Sequence, residues 1–341
     1  MSNKFGGPLG WVRRMNARRL DKRHAPRRLL EALVEDDAAV MEALGQLLDR
    51  VGSVHAALER RPNGFEGGLG NAPDPFPVIA TARERLIEPE LELLGWLAPE
   101  LEPRLAVDVG AHHGRFAGAL LDLGFEVHAL EPNPAARVEL ERRLAGRPGL
   151  TVYPVAAGGE EGEADLRLVA DQSGRYTDPT QFASLAGLPL PEGLVAAGTV
   201  RVPVRRLDAL VRERGLRAPS VVKVDAEGFD LDVLRGLGEL RPALQIVEFW
   251  DDALPFSARG ARNRLPDLVA HARAHGAPFH LVVFRRWGDD RPAFYAGWTA
   301  SPERSWGNVL FFRDQALFER SRGYLADLLP EARFVAKPKD R

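Results

Sequence analysis

The spacing of apolar residues changes along the chain. Between residues 30 and 60 it is seven: Leu33, Val40, Leu47 and Val54 recur, and Leu30, Leu44, Val51 and Leu58 hold most companion positions, with Asp37 interrupting them. Val34, Met41 and Leu48 widen the stripe. Such a pattern predicts an amphipathic helix whose apolar side must be buried, against the chain's own main domain, a second copy or a partner protein. The residues before it, including Arg13, Arg14, Arg18, Arg19, Lys22, Arg23, Arg27 and Arg28, form a basic arm. The arm reads as a solvated terminus, with anionic lipid headgroups or another protein as alternative contacts. Arg61–Pro77, RPNGFEGGLGNAPDPFP, is dense in Gly, Pro and Asn and reads as a linker. Thr81–Leu97 predicts a helix leading into the main domain.

From Leu105 the apolar runs become short and alternate with helical stretches. Strands are expected at Leu105–Val109, Glu126–Leu130, Thr151–Val155, Val221–Val224, Leu244–Phe249, His280–Phe284 and Val309–Phe312. Helices are expected at Arg115–Leu123, Pro134–Ala145 and Phe229–Leu240. This alternation predicts an α/β domain, a mainly parallel sheet covered on both faces. Residues 164–206 break the alternation. Ala164–Val169 and Thr199–Arg205 look like extra strands around a loop rich in Gly, Pro and Ser. An insertion there lies at the C-terminal edge of the sheet, where open α/β sheets bind ligands. The chain thus divides into a basic arm and heptad helix over 1–60, a linker over 61–77, the main domain over 78–330 and a tail over 331–341.

Composition narrows the function classes. Lys and Arg number 46 against 48 Asp and Glu, a net charge of -2, which argues against a general nucleic-acid coat protein. The absence of Cys excludes disulfides, thiolate metal sites and cysteine nucleophiles, so any metal must be held by oxygen or imidazole. The charged N-terminus is followed by no apolar run of signal-peptide type, and no stretch approaches the ~18 apolar residues of a membrane span. The expectation is a cytoplasmic protein.

Three motifs carry chemistry. Val107-Asp-Val-Gly-Ala-His-His-Gly-Arg-Phe116 is a strand, a Gly-rich turn and a helix start. Its helix N-terminus offers free N–H groups, and Asp108 at the strand end can accept from a ligand ammonium or order the turn. In Val127-His-Ala-Leu-Glu-Pro-Asn-Pro134, Glu131 follows Gly110 by 21 positions, where a carboxylate typically accepts the ribose hydroxyls of an adenosine. A nicotinamide dinucleotide would ask for GxGxxG against its pyrophosphate. Here the turn reads GAHHG, which suits a cofactor without phosphates and points to S-adenosylmethionine. In Val221-Val-Lys-Val-Asp-Ala-Glu-Gly228, a buried strand delivers Lys223, Asp225 and Glu227 to the same sheet edge, and Glu248 ends the next strand. These acids suit a general base, a sugar-orienting set or a divalent cation, or a structural ion pair with Lys223.

Taken in order, VDVGAHHGRF, VHALEPNP, VRRLDAL and VVKVDAEGFDLDVLRG resemble the FkbM family of S-adenosylmethionine-dependent methyltransferases, over roughly Leu105 to Phe312. The resemblance implies a Rossmann-like class I methyltransferase fold: a mainly parallel seven-stranded sheet with an antiparallel last strand, here with an N-terminal helical extension. It places Asp108, Gly110, Ala111, His112 and Gly114 in the cofactor loop. It also puts Glu131, with Pro132 and Asn133, at the ribose and Ala156 near the adenine. Asp208 matches an LDxL acid, Asp225, Glu227 and Gly228 a DxEG motif, and Glu248 a late-strand acid. Two departures stand out. His112 replaces the usual Asn and is read as support for its loop, and Asp230 stands where the family commonly has Glu.

The activity implied is methyl transfer to a hydroxyl of a glycan or lipid-linked saccharide. The alternatives are a polyketide or other small natural product as acceptor, or a non-catalytic scaffold keeping the fold. Asp225 or Glu227 is the expected base or metal-assisted orienter, with His113 as a second candidate. Lys223, Glu248, Arg175, Tyr176 and Trp250 are the expected acceptor contacts, and Asp225, Glu227 and Glu248 the ligands of a divalent cation if one binds. Trp287, Trp298, Trp306, Phe284, Phe294 and Tyr295 read as core residues or as faces for sugar rings. Arg285 and Arg286 suit an anionic acceptor. No nucleic acid partner and no membrane span are expected, and a homo-oligomer or protein partner would use the 30–60 helix.

Overall fold

The structure is a computed structural model that describes residues 88–254, 257, 263–287 and 289–328. The basic arm, the heptad-patterned segment, the linker, the first part of the Thr81–Leu97 helix and the tail lie outside the described residues.

Helix α1 spans Pro89–Leu97, with the proline in its first turn, where the missing N–H costs nothing. Strand β1, Leu105–Val109, is buried at every position and feeds α2, Arg115–Asp122. Strand β2 is Glu126–Leu130 and α3 is Pro134–Arg143. Next come β3, Leu150–Tyr153, and β4, Ala156–Ala157. The expected insertion is a long hairpin of β5, Gly162–Asp171, and β6, Leu194–Arg205, which pair antiparallel. Then follow α4, Leu207–Glu213, β7, Val221–Val224, α5, Asp230–Arg235, and β8, Leu244–Trp250. The chain continues through α6, Leu265–Ala274, β9, Phe279–Arg286, β10, Asp289–Ala296, β11, Ser305–Phe312, and α7, Gln315–Leu328.

The main sheet runs β10-β9-β11-β8-β7-β1-β2-β3. Strands β3, β2, β1, β7 and β8 are parallel neighbours. The last strand, β11, is antiparallel to both β8 and β9. The expected doubly wound arrangement is present, but the sheet has eight strands, not seven. The addition is β10, an edge strand folded back on β9. It opens Asp-Asp-Arg-Pro, and a proline is tolerated in an edge strand because the missing donor need not pair. That polar opening hides the strand from a reading based on apolar runs. A second sheet, β4-β6-β5, stands apart from the first.

Alternate residues of the main-sheet strands face two separate cores. Ala106, Val127, Val221, Ile246, Leu310 and Phe312 pack with α1, α2 and α7. Val107, Val109, Val222, Val224, Val247 and Phe249 pack with α4, α5 and α6. Leu93, Leu94 and Leu97 are wholly buried and hold α1 to the first face. Burying each contributes about 1.5–3 kcal/mol. Helix α5 has six residues, shorter than the expected Phe229–Leu240. Gly236 ends it where a Cβ would meet the Gly158 carbonyl oxygen at 2.2 Å, so the chain passes too close there for a side chain. Among the described residues no helix is long and apolar enough to cross a membrane.

Candidate functional site

A cavity of about 560 Å³ opens at the C-terminal ends of β1, β2, β7 and β8. Its floor is the turn after β1. Gly110 has φ +68°, and a Cβ there would lie 1.8 Å from the Asp225 carbonyl oxygen. No other residue lets the turns after β1 and β7 approach so closely. His112 is also left-handed, at φ +49°, and directs its N–H to Glu131 Oε2 at 2.7 Å. Glu131 Oε1 accepts from the Asn133 N–H at 2.8 Å, and Asn133 caps α3 by accepting from the Ala135 N–H at 3.1 Å. One carboxylate therefore ties the turn after β1 to the turn after β2. Burial raises the Glu131 carboxyl above its ordinary range, and the two backbone N–H groups oppose that rise.

Below this turn Asp108 is wholly buried, and neither of its oxygens has a hydrogen bond. Lys223 Nζ lies 3.6 Å from Asp108 Oδ1 and 3.1 Å from Asp225 Oδ2, and donates to the Gly110 carbonyl at 3.3 Å. Burial pushes the Asp108 carboxyl up to about 6, with Lys223 pulling the other way. Burial by itself would lower Lys223, but Asp225 and Asp108 outweigh it and hold the ammonium above its ordinary value.

Asp225, Glu227 and Glu248 bring one oxygen each within 4.8 Å of the others on the cavity wall. Burial, then the neighbouring carboxyls, raises Glu227 and Glu248 well above the usual carboxylate range. Glu227 is held in the left-handed region at φ +49°, its carbonyl accepting from Ser184 Oγ at 2.6 Å. Glu248 Oε2 is buried without a hydrogen bond. Asp230, the departure from the family pattern, does not reach the cavity. Its oxygens accept from the Ala226 and Gly228 N–H groups at 2.9 and 3.2 Å and close the turn from within.

The loop between β5 and β6 reaches the turn after β1. Asp178 caps the short helical turn Pro179–Phe182. Its Oδ2 lies 3.3 Å from His112 Nε2 and 3.3 Å from His113 Nδ1. The two imidazoles stack at 3.9 Å, and Thr180 Oγ1 is 2.8 Å from His112 Nε2. Burial lowers His112, favouring the neutral ring. His113, expected as a second base, lines the cavity as part of this strap contact.

Most expected site residues converge, but three do not. Gly110, Ala111, His112, His113, Glu131, Pro132, Asn133, Ala156, Lys223, Asp225, Glu227 and Glu248 all line the cavity, while Asp108 lies beneath it and Gly114 caps α2. Arg175 pairs with Glu192 at the surface, and Tyr176 packs edge-on against Phe182, both off the cavity wall. Trp250 is buried against Leu188 and Leu254. Trp306, opposite it across the sheet, packs against the same cluster and also reaches the cavity wall. Asp208 pairs with Arg206 away from the site. Trp298, Phe284, Phe294 and Tyr295 are core residues. Sequence reasoning missed Glu90 and Asn308, which line the far end of the cavity with Arg285. An acid in the first turn of a helix and an Asn within an apolar strand carry no signal of their own.

Residues 108–267 match the family described as the methyltransferase FkbM domain. The chain is 30% identical over 142 residues to the hexuronic acid methyltransferase AglP of Haloferax volcanii, covering 42% of this chain and 52% of that protein. It thus spans about half the length of this curated relative. Among solved structures, it is similar to the methyltransferase FkbM of Methylobacillus flagellatus KT, with 20% identity, 61% of this chain, 42% of that chain and a TM-score of 0.35. It is also similar to Aeropyrum pernix fibrillarin in complex with S-adenosyl-L-methionine, with 10% identity, 71% of this chain, 84% of that chain and a TM-score of 0.36.

Proposed function

From the methyltransferase FkbM domain that residues 108–267 carry, we propose that this chain is an S-adenosylmethionine-dependent O-methyltransferase acting on a hydroxyl of a glycan or lipid-linked saccharide. The observation that carries this reading is the meeting, in one cavity, of a ribose-type acid and a buried carboxyl cluster. The residues fit the cofactor. Glu131 accepts one N–H at each oxygen, and a carboxylate has about four acceptor positions, so two remain for the ribose hydroxyls. When bound, S-adenosylmethionine supplies an electrophilic methyl group.

On the acceptor side the chain must align a hydroxyl and remove its proton. Glu227 has the raised proton affinity that a general base needs near neutral pH. Asp225, held by Lys223, orients the hydroxyl. Asp225, Glu227 and Glu248 are also the residues that would hold a divalent cation, since all three are hard oxygen donors. A glycan acceptor is supported by the carboxyl groups on the cavity wall and by the named substrate class of the Haloferax relative.

Calorimetry with S-adenosylmethionine tests the reading directly. The full chain is expected to bind it, and Asp225→Asn to keep that binding while losing methyl transfer to a glycan hydroxyl by about 100-fold or more. No binding by the unaltered protein would sink the proposal. Turnover of a polyketide hydroxyl in preference to any sugar would move the acceptor assignment. Activity unchanged by a chelator would remove the cation.

A further inference from the structure

The far end of the cavity is built by residues on either side of the matched domain. In an antiparallel pair, directly opposite residues share a face, and so do alternate residues of one strand. Trp306 and Asn308 of β11 therefore lie on one face. Arg285 of β9 stands opposite Trp306, and Glu248 of β8 opposite Asn308. Glu90, from the first turn of α1, meets this row. Its Oε1 accepts from Asn308 Nδ2 at 3.0 Å and from Arg285 Nη1 at 3.3 Å. The Arg285 guanidinium also lies 5.7 Å from the Trp306 ring centre. All four side chains line the cavity that holds the carboxyl cluster.

Glu90 is only 5% exposed. A buried ion pair carries a desolvation cost that apolar packing would avoid, so it is weak support for the fold as such. Here the pair opens onto a cavity, toward which its remaining hydrogen-bonding positions are available. The chemistry offered is mixed: a carboxylate that accepts, a guanidinium with five N–H donors of which this contact engages one, and a carboxamide, beside an indole. Adjacent hydroxyls of a ring need such paired acceptors and donors. A flat aromatic acceptor would need apolar walls.

We infer that Glu90, Arg285 and Asn308, with Trp306 as the apolar wall, form the acceptor subsite and select a sugar ring bearing adjacent hydroxyls. This rests on the methyltransferase reading. Glu90 precedes the matched domain and the other three follow it, so acceptor choice is set outside residues 108–267 while cofactor binding is set inside. The hydrogen bonds joining Glu90, Arg285 and Asn308 are with one another and not with the turn after β1, so acceptor and cofactor affinities are expected to separate on mutation.

The test uses the full chain saturated with S-adenosylhomocysteine and saturation-transfer NMR. The probes are methyl α-D-glucopyranoside and cyclohexanol, a ring with a single hydroxyl. The glucoside is expected to receive saturation and cyclohexanol to receive little. Glu90→Gln and Arg285→Lys should each weaken the glucoside by about tenfold, the loss of one charge-assisted hydrogen bond, and leave S-adenosylhomocysteine affinity within about twofold. Asn308→Ala leaves the ion pair in place and gives the same comparison should a charge variant fail to fold. The subsite is overturned by no transfer to the glucoside, by equal transfer to both probes, or by unchanged glucoside binding in the folded variants. In each case retained S-adenosylhomocysteine binding leaves the methyltransferase reading standing. Failure of the unaltered chain to bind S-adenosylhomocysteine overturns both.

Discussion

Single carboxyl groups do most of the organising in this molecule, and their protonation is measurable. Asp108 titrates at about 6 when folded, against an ordinary 3.8. The folded chain therefore holds this proton more tightly than the unfolded chain. Its contribution to stability is present below about pH 4 and is lost as the pH rises through about 6, a difference of roughly 3 kcal/mol at most. Asp230, raised to about 7, has the same sign. Urea titrations below about pH 4 and above about pH 7 should show Asp108→Asn losing less stability between the two than the unaltered protein. An equal loss would mean that Lys223 cancels the burial of Asp108. At Glu131, replacement by Ala removes the acceptor for two backbone N–H groups and, on the proposed reading, for the ribose hydroxyls. Cofactor affinity is expected to fall by about 100-fold or more in calorimetry, two charge-assisted hydrogen bonds being lost. Both acids were legible in the sequence because they end apolar strands. Glu90 was not, because its partners Arg285 and Asn308 are about 200 positions away and only the fold brings them together.

The element that joins the cofactor motifs is the strap between β5 and β6. Through Asp178 it touches His112 and His113, through Thr180 it touches His112, and through Ser184 it holds the Glu227 carbonyl. Asp178→Ala removes the cap of the turn Pro179–Phe182, a change that costs about 1 kcal/mol, and releases both imidazoles. Because the strap lies outside the two main cores, the melting temperature should hardly move, while S-adenosylmethionine affinity drops by about tenfold. A lowered melting temperature with unchanged affinity would make the strap a structural brace only. The insertion was visible as a break in the strand–helix alternation, but its seating was not. Arg175 and Tyr176 looked like the contact residues of this loop, yet the chain turns so that Thr180, Gln181, Ala183, Ser184 and Leu185 face the cavity. Element lengths failed where backbone proximity decided them, as at Gly236, and β10 failed because edge strands need no apolar run.

On the proposed reading, the turn assigned to the cofactor and the row of residues assigned to acceptor selection come from different stretches of chain. The Gly110 turn, Glu131 and the carboxyl cluster fall within residues 108–267, while the far end of the cavity is closed by α1, β9 and β11. The parallel half was legible because strands buried on both faces are continuous apolar runs. The antiparallel half was legible only in part, because cross-strand partners are fixed by register, and a single sequence does not display register. This division makes a prediction for residues 1–60. The matched domain begins only at residue 108, so deletion of residues 1–60 is expected to leave S-adenosylmethionine affinity within about twofold. The heptad stripe predicts a separate effect. If Leu33, Val40, Leu47 and Val54 pair with a second copy, the full chain sediments as an oligomer and the shortened chain as a monomer. Equal monomeric masses would assign the stripe to its own chain or to a different partner. A fall in cofactor affinity on deletion would instead make the segment a part of the site.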